Sequence, residues 1–150
     1  LSVHLSGGLR MVKEVVSIKN NTKILGISML ASLDNSDLKS FGYNFSNLDY
    51  VKNLAKIGEK AGIDGLVSSA HEIPQLKKNL NNTKILFVTP GIRFSNNKKN
   101  DQKRINSPGQ AINNGSNMLI IGRSITQSSD PISSIKSILQ DIEKHYEDKN

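Results

Sequence analysis

Two arginines follow closely on glycine turns at the ends of short apolar runs, and their type and spacing point most directly to chemistry. The first closes Val88-Thr89-Pro90-Gly91-Ile92-Arg93 and the second closes Ile120-Ile121-Gly122-Arg123. A guanidinium offers a planar fork of donors matched to phosphate, and a glycine lets the backbone turn close to a ligand. The runs before them, Ile85-Leu86-Phe87-Val88 and Met118-Leu119-Ile120-Ile121, read as strands buried on both faces. Two adjacent strands that end in this way predict a phosphate-binding rim.

The elements that must position this rim can be read in order. Leu1 to Leu5 is the tail of a strand that enters Ser6-Gly7-Gly8, followed by a helix with Leu9, Val12, Val15, Val16 and Ile18 on one face. Lys23 to Leu30 is a second buried strand, and Ser36 to Phe45 is a polar connection with weak helical character. Asn47 is expected to cap a helix that turns Leu48, Val51, Leu54, Ala55, Ile57 and Ala61 inward and stops at Gly62. Gly65 to Ser69 is a short strand, and Pro74 suits the first turn of a helix facing inward through Leu76 and Leu80. After Ile85–Val88, residues Arg93 to Asn106 form a long loop, the kind that commonly serves binding. Pro108 opens a short helix, Met118 to Ile121 is the fifth strand, and Asp130-Pro131 starts a final helix. That helix carries an apolar stripe of Ile132, Ile135, Ile138, Leu139, Ile142 and Tyr146.

Strand, loop and helix recur five times, which predicts an α/β chain of parallel βα units. A closed (β/α)8 TIM barrel takes eight such units and about 250 residues. The 150 residues suit one domain with five units, so the simplest expectation is that three more βα units precede residue 1. The inward positions Val3, Ile27, Val67, Phe87 and Ile121, or their strand neighbours, would then face a core with one side absent.

The net charge of +7 invites a nucleic-acid partner, but the lysines are scattered and the only dense cluster is Lys98, Lys99, Lys103 and Arg104. Aromatic residues make up 5% of the chain, which leaves few platforms for stacked bases. Neither nucleic acid nor a membrane is expected as a partner, since no run approaches eighteen apolar residues. There is no cysteine, hence no disulfide framework and no thiolate metal site. A cytoplasmic location fits that composition.

Several blocks together resemble orotidine 5'-phosphate decarboxylase. They are His4-Leu5-Ser6-Gly7-Gly8, Leu30-Ala31-Ser32, Gly62 to Glu72, Val88 to Arg93, Asp101-Gln102-Lys103-Arg104, Ile121 to Thr126 and Asp130-Pro131. The resemblance runs over nearly the whole chain in family order, and it is to the C-terminal part of that enzyme, with the visible strands matching the fourth to eighth of its barrel. It implies conversion of orotidine 5'-monophosphate to UMP and carbon dioxide, in pyrimidine biosynthesis, without metal or organic cofactor. It further implies that Arg93 stands at the base of the long loop, that Gln102 reaches over the nucleotide, and that Gly122 and Arg123 meet the phosphate. A homodimer, or completion by an N-terminal half, is implied as the assembly.

The family's chemistry rests on an Asp-x-Lys-x-x-Asp run at the end of the third strand, whose lysine faces the carbanion at C6 and protonates it. Residues 1–150 contain no such run. The near-match Asp37-Leu38-Lys39 has Gly42 where the second aspartate should stand, and it follows a different strand. No catalytic residue is therefore assigned, and the chain alone is expected to be inactive. Ala31 also occupies a position where the resemblance calls for a threonine, removing a hydroxyl that could bond the ligand. His4 reads as a structural core or supporting residue, and the spacing of His4, His71 and His145 suggests no metal site. Related phosphate-binding barrels such as hexulose-phosphate synthase fit the Thr-Pro-Gly-Ile-Arg block less well. From another class, the chain could be a non-catalytic remnant or phosphate-binding module from a truncated or split gene.

Overall fold

A computed structural model describes residues 1–94 and 105–147, with side chains through His145. The elements are β1 (Ser2–His4), α1 (Gly8–Ser17), β2 (Leu25–Ile27), α2 (Asn35–Ser40), α3 (Asn47–Ala61) and β3 (Gly65–Val67). They continue as α4 (Ile73–Asn79), β4 (Leu86–Thr89), α5 (Pro108–Asn113), β5 (Met118–Leu119), α6 (Arg123–Thr126) and α7 (Pro131–Glu147). All five strands are parallel and lie side by side in chain order. Parallel neighbours need a crossover between them, and α1, then α2 with α3, then α4, then α5 occupy the four crossovers. Among the described residues, β1 and β5 each pair on one edge only.

Local chemistry explains the helix boundaries. Ser46, not Asn47, caps α3: its hydroxyl accepts the Asp49 N–H at 3.2 Å, and Asn47 enters the first turn. A serine hydroxyl reaches the third helical N–H from the cap position, whereas one residue further on the geometry is already helical. α2 is firmer than its polar sequence suggests, because Asp34 and Asp37 form a reciprocal capping box. That engagement places Asp37 at a helix start and leaves Lys39 exposed on the last turn.

The main core lies between one face of the sheet and helices α1, α3 and α4. Val3, Gly26, Leu66 and Phe87 share one cross-strand row, and this row meets the helices. Leu66 is wholly buried there with Leu5, Val12, Val51, Ile73 and Leu76. Val3 and Phe87 therefore point outward to the helices rather than toward a barrel interior, because strand alternation fixes the face of every second residue. Their neighbours His4, Ile27 and Val67 form the next row on the opposite face. There Ile27 and Val67 are half-buried, and His4 is exposed rather than part of a core. Ile18 is also a correction: it lies just past the end of α1 and is 78% exposed.

A clamp fixes β2 and β3 at their N-terminal ends. The Asp64 carboxylate accepts the Ile24 N–H at 2.8 Å and the Lys19 ammonium at 2.6 Å. These bonds, the Ile24 amide foremost, hold its pKa below the ordinary aspartate value.

Beyond β4 the layer is thinner. A small cluster of Ala70, Ile92 and Ala111, with Leu119 and Ile121 against it, lies under α5. β5 spans two residues instead of the expected four, although the Ile120 N–H still bonds the Thr89 carbonyl at 2.8 Å. α5 lies flush on α7: the Gly109 N–H donates to the Asp141 carboxylate at 2.7 Å, and a Cβ at Gly109 would collide with the His145 ring. Of the apolar stripe on α7, Ile138 is buried and Ile142 is half-buried. Ile132 is 67% exposed and Leu139 53%, with Ile135 also exposed.

Candidate functional site

The C-terminal ends of parallel strands carry the loops that bind ligands in βα proteins. β4 ends at the buried Thr89, whose hydroxyl shares a 2.6 Å hydrogen bond with the Ser116 hydroxyl. The chain then turns at Gly91, where φ is +77°, a backbone state that side-chain-bearing residues rarely adopt. Directly after the turn, Ile92 bridges Asn106 in parallel. The Arg93 N–H donates to the Asn106 carbonyl at 2.9 Å, and the Asn106 N–H donates to the Gly91 carbonyl at 3.3 Å. The two ends of the expected long loop are thereby closed on each other.

Arg93 is 5% exposed, and its Nη1 folds back to donate to the Ile92 carbonyl at 2.6 Å. Gly122 is exposed, and nothing lies within 4 Å of where a Cβ would stand. Its carbonyl accepts the Ile125 and Thr126 N–H groups, which starts α6 with the half-buried Arg123 in first position. Ser124 then reaches back across the rim, and its hydroxyl donates to the Ile92 carbonyl at 3.0 Å.

The expected site residues Arg93, Gly122 and Arg123 thus come from adjacent strand ends, and their two loops meet at one carbonyl. Gln102 lies outside the described residues, as do Asp101, Lys103, Arg104, Lys98 and Lys99. The arrangement offers an open glycine backbone beside one half-buried and one buried guanidinium, a donor set suited to an anion.

Three supporting residues were not singled out from the sequence: Asn106, Ser116 and Ser124. Each acts through a contact between segments distant in sequence, for which a local pattern holds no signal. His71 was weighed only as a metal ligand, yet its Nε2 lies 3.0 Å from the Ile105 carbonyl beside Asn106. A carbonyl only accepts, so that nitrogen carries the hydrogen.

A cavity of about 290 Å3 adjoins the rim, lined by Phe94, Ser124, Ser128, Asp130 and Ser133 among others. The Ser133 hydroxyl, and then its N–H, hold the Asp130 carboxyl below the ordinary range. A carboxylate kept ionised in this way repels a phosphate, so the Gly122–Arg123 turn is the better anion seat of the two.

A run of parallel βα units with its donor groups on the C-terminal edge defines the class: an α/β chain with a five-stranded parallel sheet, consistent with part of a TIM barrel. Within that class the chain belongs to the Orotidine 5'-phosphate decarboxylase / HUMPS family, whose sequence profile matches residues 1–138. Orotidine 5'-phosphate decarboxylase of Coxiella burnetii is 41% identical over 148 residues, covering 95% of this chain and 62% of its own length. The Aquifex aeolicus protein of that name is 40% identical over 140 residues, covering 93% and 60%. The crystal structure of orotidine 5'-phosphate decarboxylase from Lactobacillus acidophilus superposes with a TM-score of 0.73 at 27% identity, covering 94% of this chain and 62% of that one. The Metallosphaera sedula enzyme, at 20% identity and a TM-score of 0.66, shares the fold. The chain thus spans a little over three-fifths of the length of these relatives.

Proposed function

We propose that this chain carries the phosphate- and nucleotide-binding part of an orotidine 5'-phosphate decarboxylase, with Arg93, Gly122 and Arg123 on the phosphate and Gln102 over the nucleotide. The observation that carries the reading is the meeting of the β4 and β5 loops at the Ile92 carbonyl, which sets both arginine-bearing turns on one rim. In TIM barrels the loops after the last two strands commonly hold phosphate, and β4 and β5 would be those strands if the five units are the fourth to eighth. The phosphate is remote from the C6–carboxylate bond that breaks. Binding energy gathered there lowers the barrel enzyme's barrier only through positioning, with the chemistry left to the Asp-x-Lys-x-x-Asp run.

The second reading, a phosphate-binding module without chemistry, is favoured by the engagement of Asp37 in the α2 cap, which removes the near-match from contention. Turnover by the purified chain above a heat-killed control would overturn both readings. Adding a polypeptide that supplies the three preceding units, with the Asp-x-Lys-x-x-Asp run, should restore turnover under the first reading and not under the second.

The phosphate assignment has its own test. Arg123→Ala should weaken UMP relative to uridine by about 1.5–3 kcal/mol, the range for a charged hydrogen bond. Equal losses for both ligands would place Arg123 away from the phosphate.

A further inference from the structure

We infer that Ser124 is a positioning residue that locks the Arg93 loop to the Gly122–Arg123 turn, so that the two arms of the rim bind an anion as one unit. The inference rests on the phosphate reading of that rim. The Ile92 carbonyl is the shared point: it accepts the Ser124 hydroxyl at 3.0 Å and Arg93 Nη1 at 2.6 Å. Ile92 itself is fixed, being 1% exposed within the small cluster under α5 and bridged to Asn106. Ser124 therefore anchors α6 to the same fixed carbonyl that accepts the Arg93 guanidinium.

Ties further down include the Ile120 N–H on the Thr89 carbonyl and the Thr89–Ser116 hydroxyl pair. Ser124 supplies a tie at the level of the arginines. A carbonyl oxygen has two lone pairs and so serves both donors at once. Two bonds from different loops to one fixed oxygen set both side chains in direction before a ligand arrives. Preorganisation of this kind improves affinity by removing the ordering cost of the site.

The test is titration of UMP and uridine into the 150-residue chain and its Ser124→Ala, Ser124→Thr, Arg93→Ala and doubly substituted Ser124→Ala/Arg93→Ala forms. Ser124→Ala should weaken UMP by about 2- to 12-fold, the range that a neutral hydrogen bond commands, and leave uridine unchanged. Ser124→Thr, which keeps the hydroxyl, should restore most of the loss. Because Ser124 acts through Arg93, the double form should lose less than the product of the two single losses. Multiplicative losses, or an equal loss for uridine, would overturn the inference.

If Arg93→Ala and Arg123→Ala leave UMP binding unchanged, the phosphate reading fails. Hydrogen exchange of the ligand-free chain then decides the tie by itself, and it also decides if the chain binds no nucleotide. Ser124→Ala should speed exchange at the Arg93 and Asn106 amides, and unchanged rates there would overturn the lock.

Discussion

The layer that α1, α3 and α4 lay over β1 to β4, and the layer that α5 and α7 form beyond β4, are built from the same alternation of strand and helix, yet they end in different states of burial. In the first, Leu5, Val12, Leu66, Ile73 and Leu76 are completely enclosed. In the second, the enclosed apolar groups are mostly small, and three isoleucine or leucine side chains of α7 stand in the open. The site residues belong to the second. An apolar stripe on a helix is a surface suited to burial, so the open side of α7 is one that a neighbour could cover. Exposed apolar side chains also occur elsewhere, at Leu1, Ile18 and Phe41 among others, but on α7 they line one helix face beside the candidate site.

The largest effects should separate the two layers cleanly. Leu66→Ala should cost about 2–5 kcal/mol in urea unfolding, the cost of a cavity that cannot collapse. Leu139→Ala should stay within about 0.5 kcal/mol, as for an open surface position. Comparable losses would mean that α7 is covered in solution and would break the comparison.

Next in size is the effect of a neighbour. If the fragment reading holds, a polypeptide carrying three βα units ahead of these five should raise the thermal midpoint, with about 2.7 kcal/mol gained at a hundredfold excess over its Kd. Ile132→Asp combined with Leu139→Asp should abolish the gain. A rise that survives both substitutions would place the docking surface elsewhere.

Helix caps sharpen the comparison at about 1 kcal/mol each. Ser46 caps α3 in the first layer, and Ser107 caps α5 in the second by accepting the Gln110 N–H. If the chain unfolds as one cooperative unit, Ser46→Ala and Ser107→Ala both lower the same transition. If only Ser46→Ala moves the main transition in differential scanning calorimetry, the second layer melts separately.

The smallest effect is on pH. Asp64 titrates lower in the folded chain than the value of about 3.9 for a free aspartate. Its contribution is therefore complete above that value and is lost as pH falls through the folded one. Asp64→Asn should flatten the acid limb of the stability profile and leave the neutral side parallel to the parent. An acid limb that is unchanged by the substitution would show that the Lys19–Asp64–Ile24 clamp contributes nothing to it.

The parallel βα architecture was legible because apolar runs and helical stripes are local patterns. Leu48 to Ala61 showed its helix by spacing alone. Faces and edges were less legible. Val3 and Phe87 were left open against their strand neighbours because two-residue alternation gives two equivalent faces. The helices decide between them, and His4 and Val88 share the row of Ile27 and Val67. Ser46 lost to Asn47 by one position because both residues cap well. The positions of Arg93 and Gly122-Arg123 at strand ends were readable, whereas the Ile92 carbonyl that joins them has no side-chain identity for a sequence to display.

The single-sided pairing of β1 and β5 has a consequence for symmetry. All five strands point the same way, so the free edge of β5 on one copy can continue in parallel onto the free edge of β1 on another. That contact is head-to-tail, with different surfaces on the two copies, and each addition leaves one edge of each kind exposed. Such contacts close into a ring only if the rotation per copy divides a full turn, and otherwise they run on as a filament. Pairing of β1 with β1 is antiparallel and ends at two copies. The direction of the strands therefore decides whether self-association of this chain stops or propagates.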